Sequence, residues 1–169
     1  GVEWWKWGVG PGQVRGWLGG GGRSGRVVAW GFLPAMLEMA RARAVDADFE
    51  LRDICEVREE SRRFDLVFCF QAFPHFRDRL AAMRQMARQL KPAGELVVMH
   101  LLGSRQVSAI HHRVGGSVGG DQLPPATVWP ELAARAGLRV TEAVDCEDLF
   151  LIKARRVDES PRRGDRVLN

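Results

Sequence analysis

The sequence predicts an α/β fold: a Rossmann-like, doubly wound, mostly parallel sheet that ends in an antiparallel strand pair. Three observations carry that expectation. Apolar runs of strand length alternate with stretches of helical period. Two of the runs, "FDLVFCF" (64–70) and "ELVVMHL" (95–101), are continuous rather than alternating, as in strands covered on both faces. The last two strand-like segments are joined too closely for a helical crossover, so they should pair antiparallel.

The elements follow in order. "GRVVAW" (25–30) is a short β-branched run and reads as a strand. Pro34 suits the first turn of a helix, and Leu33, Leu37, Ala40 and Ala44 form one helical stripe through 35–44. "DFELRDI" (48–54) alternates like a strand. The run 64–70 is a central strand. In 77–90, Leu80, Met83, Ala87 and Leu90 recur at helical spacing; "KPAG" breaks that helix and 95–101 is the next buried strand. A polar helix is expected over 104–114, then a glycine-rich loop, "GGSVGGDQLPP". The stretch 126–137 reads as a helix with Pro130 in its first turn and Gly137 at its end. "LRVTEAVD" and "EDLFLIKARR" are the final strands, with a tight turn near Cys146. Residues 1–155 thus make one domain, of which 1–25 is degenerate. The charged, Pro-containing stretch 156–169 is expected to be a disordered tail.

Composition narrows the function classes. The 169 residues suffice for one real core, and a net charge of +4 spread over scattered arginines is not the concentrated basic face of a nucleic-acid binder. Cys55, Cys69 and Cys146 are odd in number and lack a C-x-x-C pair. They suggest no disulfide framework and no zinc site, and a reducing, cytoplasmic setting. No stretch approaches the roughly 18 apolar residues of a membrane span, and no basic-then-apolar leader opens the chain. The first residue is Gly1, not an initiator Met, so a fragment is one reading.

From Val27 onward the sequence resembles the class I S-adenosylmethionine (SAM)-dependent methyltransferases. It is most similar to the small-molecule branch that includes quinone-biosynthesis enzymes. "VVAWGFLPAMLEMARARA" resembles the second-strand motif, a hydrophobic run, an Asp, then S-P-x-M-L. "FDLVFCFQAFPHF" resembles the fourth strand and its loop, "LKPAGELVVMH" the L-K-P-G-G turn into strand five, and "LAARAGLRVTEAV" the helix before the terminal pair. The likeness covers roughly 26–155.

The family's first motif, D/E-x-G-x-G-x-G, should stand where "WWKWGVGPG" (4–12) stands. Gly8, Gly10 and Gly12 fall on its three glycines, but Lys6 replaces the acid and tryptophans replace aliphatic residues. Five of the six tryptophans and 10 of the 19 glycines lie in the first 30 residues. Tryptophan has the single codon TGG. Read one base earlier, the codons for Trp4, Trp5, Lys6, Trp7 and Gly8 permit Val, Val, Glu, Val and Gly, the family's motif. A frame-shifted translation ending before Gly25 accounts for this, with a divergent natural N-terminus as the alternative.

The resemblance implies the site. Gly8, Gly10 and Gly12 let backbone approach the methionine part of SAM. Gly31 holds the place of the acid that binds the ribose. Phe32 covers adenine or is plain core. Asp53 accepts the adenine amino group, with the Ile54 backbone N–H on a ring nitrogen, or else Asp53 merely caps a turn. Phe70 and Gln71 line the cofactor and substrate, and a Gln ending an apolar strand needs a partner. His75 is the best placed catalytic base, should the acceptor have to lose a proton. His100 ends strand five and reads equally as a satisfied core histidine. His111 and His112 are adjacent and cannot share one helix face. No metal is expected.

The implied function is SAM-dependent methyl transfer to a small-molecule acceptor, impaired in this chain. The alternative is a non-catalytic or misread methyltransferase-like fragment that binds little cofactor. A nicotinamide oxidoreductase fits less well, because Gln13 sits where G-x-G-x-x-G needs a small residue. An RNA-binding module would interleave aromatics with a basic stripe, which is not seen.

Overall fold

The computed structural model describes residues 4–7, 27–31, 38, 48–56 and 64–157. Four short or medium strands lead off: β1 (Trp4–Trp7), β2 (Val27–Gly31), β3 (Asp48–Leu51) and β4 (Phe64–Phe70). Helix α1 (Arg79–Gln89) leads into β5 (Leu90–His100), and α2 (Ser104–Val114) follows. A short helix, α3 (Trp129–Ala134), precedes the hairpin β6 (Leu138–Cys146) and β7 (Leu149–Arg156). All seven strands form one sheet in the order β3-β2-β1-β4-β5-β7-β6.

The pairs β1–β2, β1–β4, β2–β3 and β4–β5 are parallel, while β7 runs antiparallel to both β5 and β6. The doubly wound sheet and its antiparallel terminal pair are as the sequence predicts. The tryptophan-rich stretch still forms a strand, at the centre of the sheet. Gly8, Gly10, Gly12, Phe32, residues 158–169 and, Glu38 apart, the 35–44 helix lie outside the described residues. β7 itself continues to Arg156, whose guanidinium donates to the Leu90 carbonyl (3.2 Å).

One boundary differs. "KPAG" does not stand between helix and strand; it belongs to β5. A step of two along β4, from Phe64 to Leu66, is matched by a step of five along β5, from Leu90 to Glu95, so the extra residues bulge. Gly94 permits this close approach, because a Cβ there would lie 2.8 Å from the Phe64 carbonyl oxygen. The segment 126–137 also divides, into a single 3-10 turn (Ala126–Val128) and then α3 with Pro130 in its first turn. Gly137 follows with φ +75°, which only glycine adopts readily.

The core lies on both faces of the sheet. Val67, Cys69, Leu96, Val98 and Ile152 are fully buried, with Met83 and Met86 of α1 against them. Burial pushes the Cys69 thiol well above the usual range, so it packs as an inert hydrophobe. Phe73, Phe76, Trp129 and Phe150 belong to the same cluster and hold the loop after β4, while Phe70 and Met99 form a small second one. The Phe73 ring lies 4.5 Å from Trp129 and 5.6 Å from Phe76, centroid to centroid.

Candidate active site

The carboxyl ends of β4 and β5 open into a cleft of about 210 Å³, lined by Gln71, His75, His100, Leu101, Leu102, Val107, Ile110 and His111. It lies where open α/β sheets bind ligands, beyond the strand ends and beside the switch in strand order. Each lining side chain arrives there for a local reason.

Gln71 follows β4 with φ +50°, the one non-glycine residue in left-handed backbone among those described. Its N–H donates to the Met99 carbonyl (2.9 Å), which fixes the sharp exit from the strand. Its side chain is exposed at the cleft rim, so it needs no buried partner, contrary to the expectation from sequence. Phe70, one residue earlier, is buried beside Met99 and stacked on Phe68 (5.8 Å between centroids). The chain then makes one 3-10 turn, Phe73–His75, whose buried Phe73 and Pro74 anchor it and leave His75 on the cleft side.

His75 is held by an acid that sequence reasoning did not single out. Its Nδ1 lies 2.6 Å from Asp121 Oδ2. An ionised carboxylate only accepts, so Nδ1 carries the hydrogen and Nε2 is left as the basic nitrogen. His111 Nδ1 donates to the Asp121 backbone carbonyl (2.9 Å), and the two imidazole centroids are 4.9 Å apart. His112, the next residue, is exposed, as helix geometry requires. Asp121 is itself pinned. Its N–H donates to the Val118 carbonyl, and Leu123 N–H donates to Ser108 Oγ on α2 (3.1 Å). The one sequence signal for Asp121 was a lone acid in an otherwise uncharged, glycine-rich loop.

Helix α2, which roofs the cleft, is docked at its start by the β6–β7 turn. Ser104 donates to Asp145 through both N–H (2.9 Å) and Oγ (2.7 Å), and the Ala126 N–H also donates to that carboxylate (3.1 Å). Partial burial works against ionisation of Asp145, but the hydrogen bonds from Ser104 and Ala126 outweigh it, so its carboxyl lies below the usual value.

His100 is the buried member of the cluster, 4% exposed, with Phe150 edge-on to its ring. It is not a satisfied core histidine: among the described residues its Nε2 has no hydrogen-bond partner. Burial first, then the facing His75 and His111, push the imidazole down to about 4. As pH falls below the ordinary value of 6.5, the unfolded chain takes the proton before the folded one. Stability contributed by the neutral ring is therefore full above that value and lost between it and about 4. The expected loss is about 3 kcal/mol. Urea unfolding at several pH values checks this: His100→Gln should flatten the slope in that window, and a slope unchanged by the substitution would refute it.

Asp53, just past the end of β3, does cap a turn. Its Oδ1 accepts the Cys55 N–H (2.8 Å), while Oδ2 meets Arg77 at 3.4 Å, and the side chain is 40% exposed. Ile54 is fully buried beside it. Gly31 is the last residue of β2, in register with Leu51. Gly31 and Phe70 thus end β2 and β4, and Asp53 lies two residues beyond the end of β3, the three strands belonging to one sheet. Among the described residues no group of three or more His, Cys, Asp or Glu is arranged to hold a metal ion, and no helix is long and apolar enough to cross a membrane.

Comparison with known proteins agrees with this geometry. The methyltransferase-domain family matches residues 5–98, more than half of the chain. No curated protein matches at the level of sequence. Several solved structures share the fold. One is the putative methyltransferase of Haloferax volcanii, solved in complex with the Trm112 methyltransferase activator. It is 20% identical with a TM-score of 0.78, over 94% of this chain and 84% of that one. A SAM-dependent methyltransferase from Aquifex aeolicus is 17% identical, TM-score 0.71, over 92% and 82%. Another, from Mesorhizobium loti, is 17% identical, TM-score 0.70, over 92% and 91%. With the matched region running from β1 into β5 across the five parallel-paired strands and the antiparallel pair beyond it, the chain belongs to the methyltransferase-domain family of SAM-dependent enzymes.

Proposed function

We propose that this chain transfers the methyl group of SAM to a small-molecule acceptor held in the cleft between β4, β5 and α2, and that its N-terminal motif weakens its hold on SAM. The observation that carries this reading is the cleft: a basic imidazole nitrogen stands at the strand ends of a methyltransferase sheet. Methyl transfer is an in-line displacement at an activated sulfonium carbon, so the protein mainly aligns the reactants and excludes water. His75 Nε2 takes the acceptor's proton where one must leave. Gly8, Gly10 and Gly12 approach the methionine part of SAM. Gly31 stands at the ribose, Phe32 and Ile54 at the adenine, and Asp53 Oδ2 accepts the adenine amino group. Phe70 and Gln71 line the channel between cofactor and acceptor.

Two features support impairment. Lys6 stands in the central β1, where the family places an acid, and Gly31 offers the ribose no carboxylate. A frame-shifted origin for the N-terminus explains both the tryptophans and the preserved glycine spacing. Losing two ribose hydrogen bonds to a carboxylate costs about 3 kcal/mol, roughly 100-fold in affinity.

SAM titration by calorimetry tests the reading. The unmodified chain is expected to bind SAM weakly or not detectably. Gly31→Asp should give the largest single gain, on the order of 100-fold, with further steps from Lys6→Glu and from Val at positions 4, 5 and 7. Micromolar binding by the unmodified chain, or no gain from the full set, would overturn it.

A further inference from the structure

We propose that His100 selects the acceptor: the cleft takes an uncharged, ring-sized molecule bearing a hydroxyl, and that hydroxyl hydrogen-bonds the buried His100 imidazole. The inference rests on the methyl-transfer reading only in calling the occupant an acceptor. Three observations carry it independently.

The first is the unmet Nε2 of His100. A polar atom with no partner in a side chain 96% buried is costly, on the order of 1–3 kcal/mol, and such atoms are kept where something uses them. His75 and His111 each have their Nδ1 engaged with Asp121, so their rings are already oriented. His100 alone among the cleft histidines has a buried nitrogen left over. A hydroxyl satisfies it in either tautomer, because a hydroxyl both donates and accepts. An ether only accepts and an ammonium only donates.

The second is charge. The lining residues include three imidazoles and one amide but no Lys, Arg, Asp or Glu. Asp121 stands behind His75 with its carboxylate already occupied. A carboxylate ligand entering such a cleft would lose hydration and gain no counter-charge. His100 is held neutral at physiological pH by its burial and by the facing imidazoles.

The third is shape. The rest of the lining is aliphatic: Leu101, Leu102, Val107 and Ile110. A dry apolar cavity of about 150 Å³ is known to hold a benzene ring. The 210 Å³ here accommodates one substituted six-membered ring, its apolar face on these side chains and its hydroxyl toward His100.

The test uses the full chain and three matched probes: phenol, anisole and benzoate. Each is titrated while the imidazole ¹⁵N resonances are followed. Phenol should bind about tenfold more tightly than anisole or benzoate, because a site built for a hydroxyl rejects the analogue lacking it. Phenol should also move the His100 resonances. His100→Phe should reduce phenol to the level of anisole, and His100→Gln should retain part of the preference. Equal binding of phenol and anisole by the native chain would overturn the proposal without any variant, as would a phenol preference that survives His100→Phe. A parallel SAM titration of the N-terminally restored chain separates the two readings. A phenol preference without SAM binding supports the selection by His100 and removes methyl transfer. SAM binding with no phenol preference removes the selection alone.

Discussion

Replacing Gly103 by alanine is expected to destabilise the fold by about 4 kcal/mol and to undo the roof of the cleft. The backbone is not the reason. Gly103 has φ −65° and ψ 166°, which alanine adopts freely. Space is the reason. A Cβ at this position would stand 2.0 Å from the Cys146 carbonyl oxygen, 3.0 Å from the Cys146 carbonyl carbon and 2.9 Å from Gln106 Oε1. The glutamine can turn away, but the carbonyl is part of the β6–β7 turn and cannot. The start of α2 must therefore lift from the hairpin. That breaks the Gly103 N–H bond to the Glu147 carbonyl and both bonds from Ser104 to Asp145. Each is worth about 1 kcal/mol, and the overpacking adds roughly the remainder. Val107, Ile110 and His111 ride on α2, so the cleft loses its shape with the fold's stability. Urea denaturation reads the first effect, with Gly120→Ala as control, since nothing lies within 4 Å of a Cβ there. A midpoint for Gly103→Ala equal to that of Gly120→Ala would show that the turn yields more easily than its geometry implies.

Much of this fold was legible because its signals are local. The continuous runs at 64–70 and 95–101 could only be strands covered on both faces. The short link after Cys146 left no room for a crossover, and Gly137 announced the end of a helix through a backbone conformation that side chains resist. What stayed hidden depends on contacts between distant residues. The extension of β5 back through "KPAG" follows from Gly94 lying against the Phe64 carbonyl, which no periodicity encodes. The site divides in the same way. His75 was visible as a histidine after a central strand. Its partner Asp121 lies 46 residues further on, brought near by the folding of the loop onto α2. His100 was visible as a residue ending a buried strand, but whether its nitrogen would be satisfied depends on three elements packing around it. Asp145 gave no signal at all: its acceptance of bonds from Ser104 and Ala126 is created wholly by tertiary structure.

The pair His75–Asp121 should carry the largest kinetic effect. With labelled SAM as donor, catechol as acceptor (one hydroxyl for His100, the other for the base) and the N-terminally restored chain as enzyme, His75→Ala is expected to lower kcat by about 10²- to 10⁴-fold, the usual worth of a positioned general base. SAM affinity should be unchanged, because the loss lies in proton removal and not in cofactor binding. Asp121→Asn tests the arrangement more sharply. The ring contacts need not be lost, since an amide at this position still reaches Nδ1. An amide can donate, however, and then Nδ1 becomes the acceptor and Nε2 carries the hydrogen, the wrong tautomer for a base. The loss should approach that of His75→Ala, and the double variant should be little worse than either single one, as for groups acting as a unit. Added imidazole should restore part of the rate to His75→Ala, where a space is left, and none to Asp121→Asn, where the ring still fills it. Effects of the two substitutions that multiply in the double variant would show that Asp121 serves the loop and not the base.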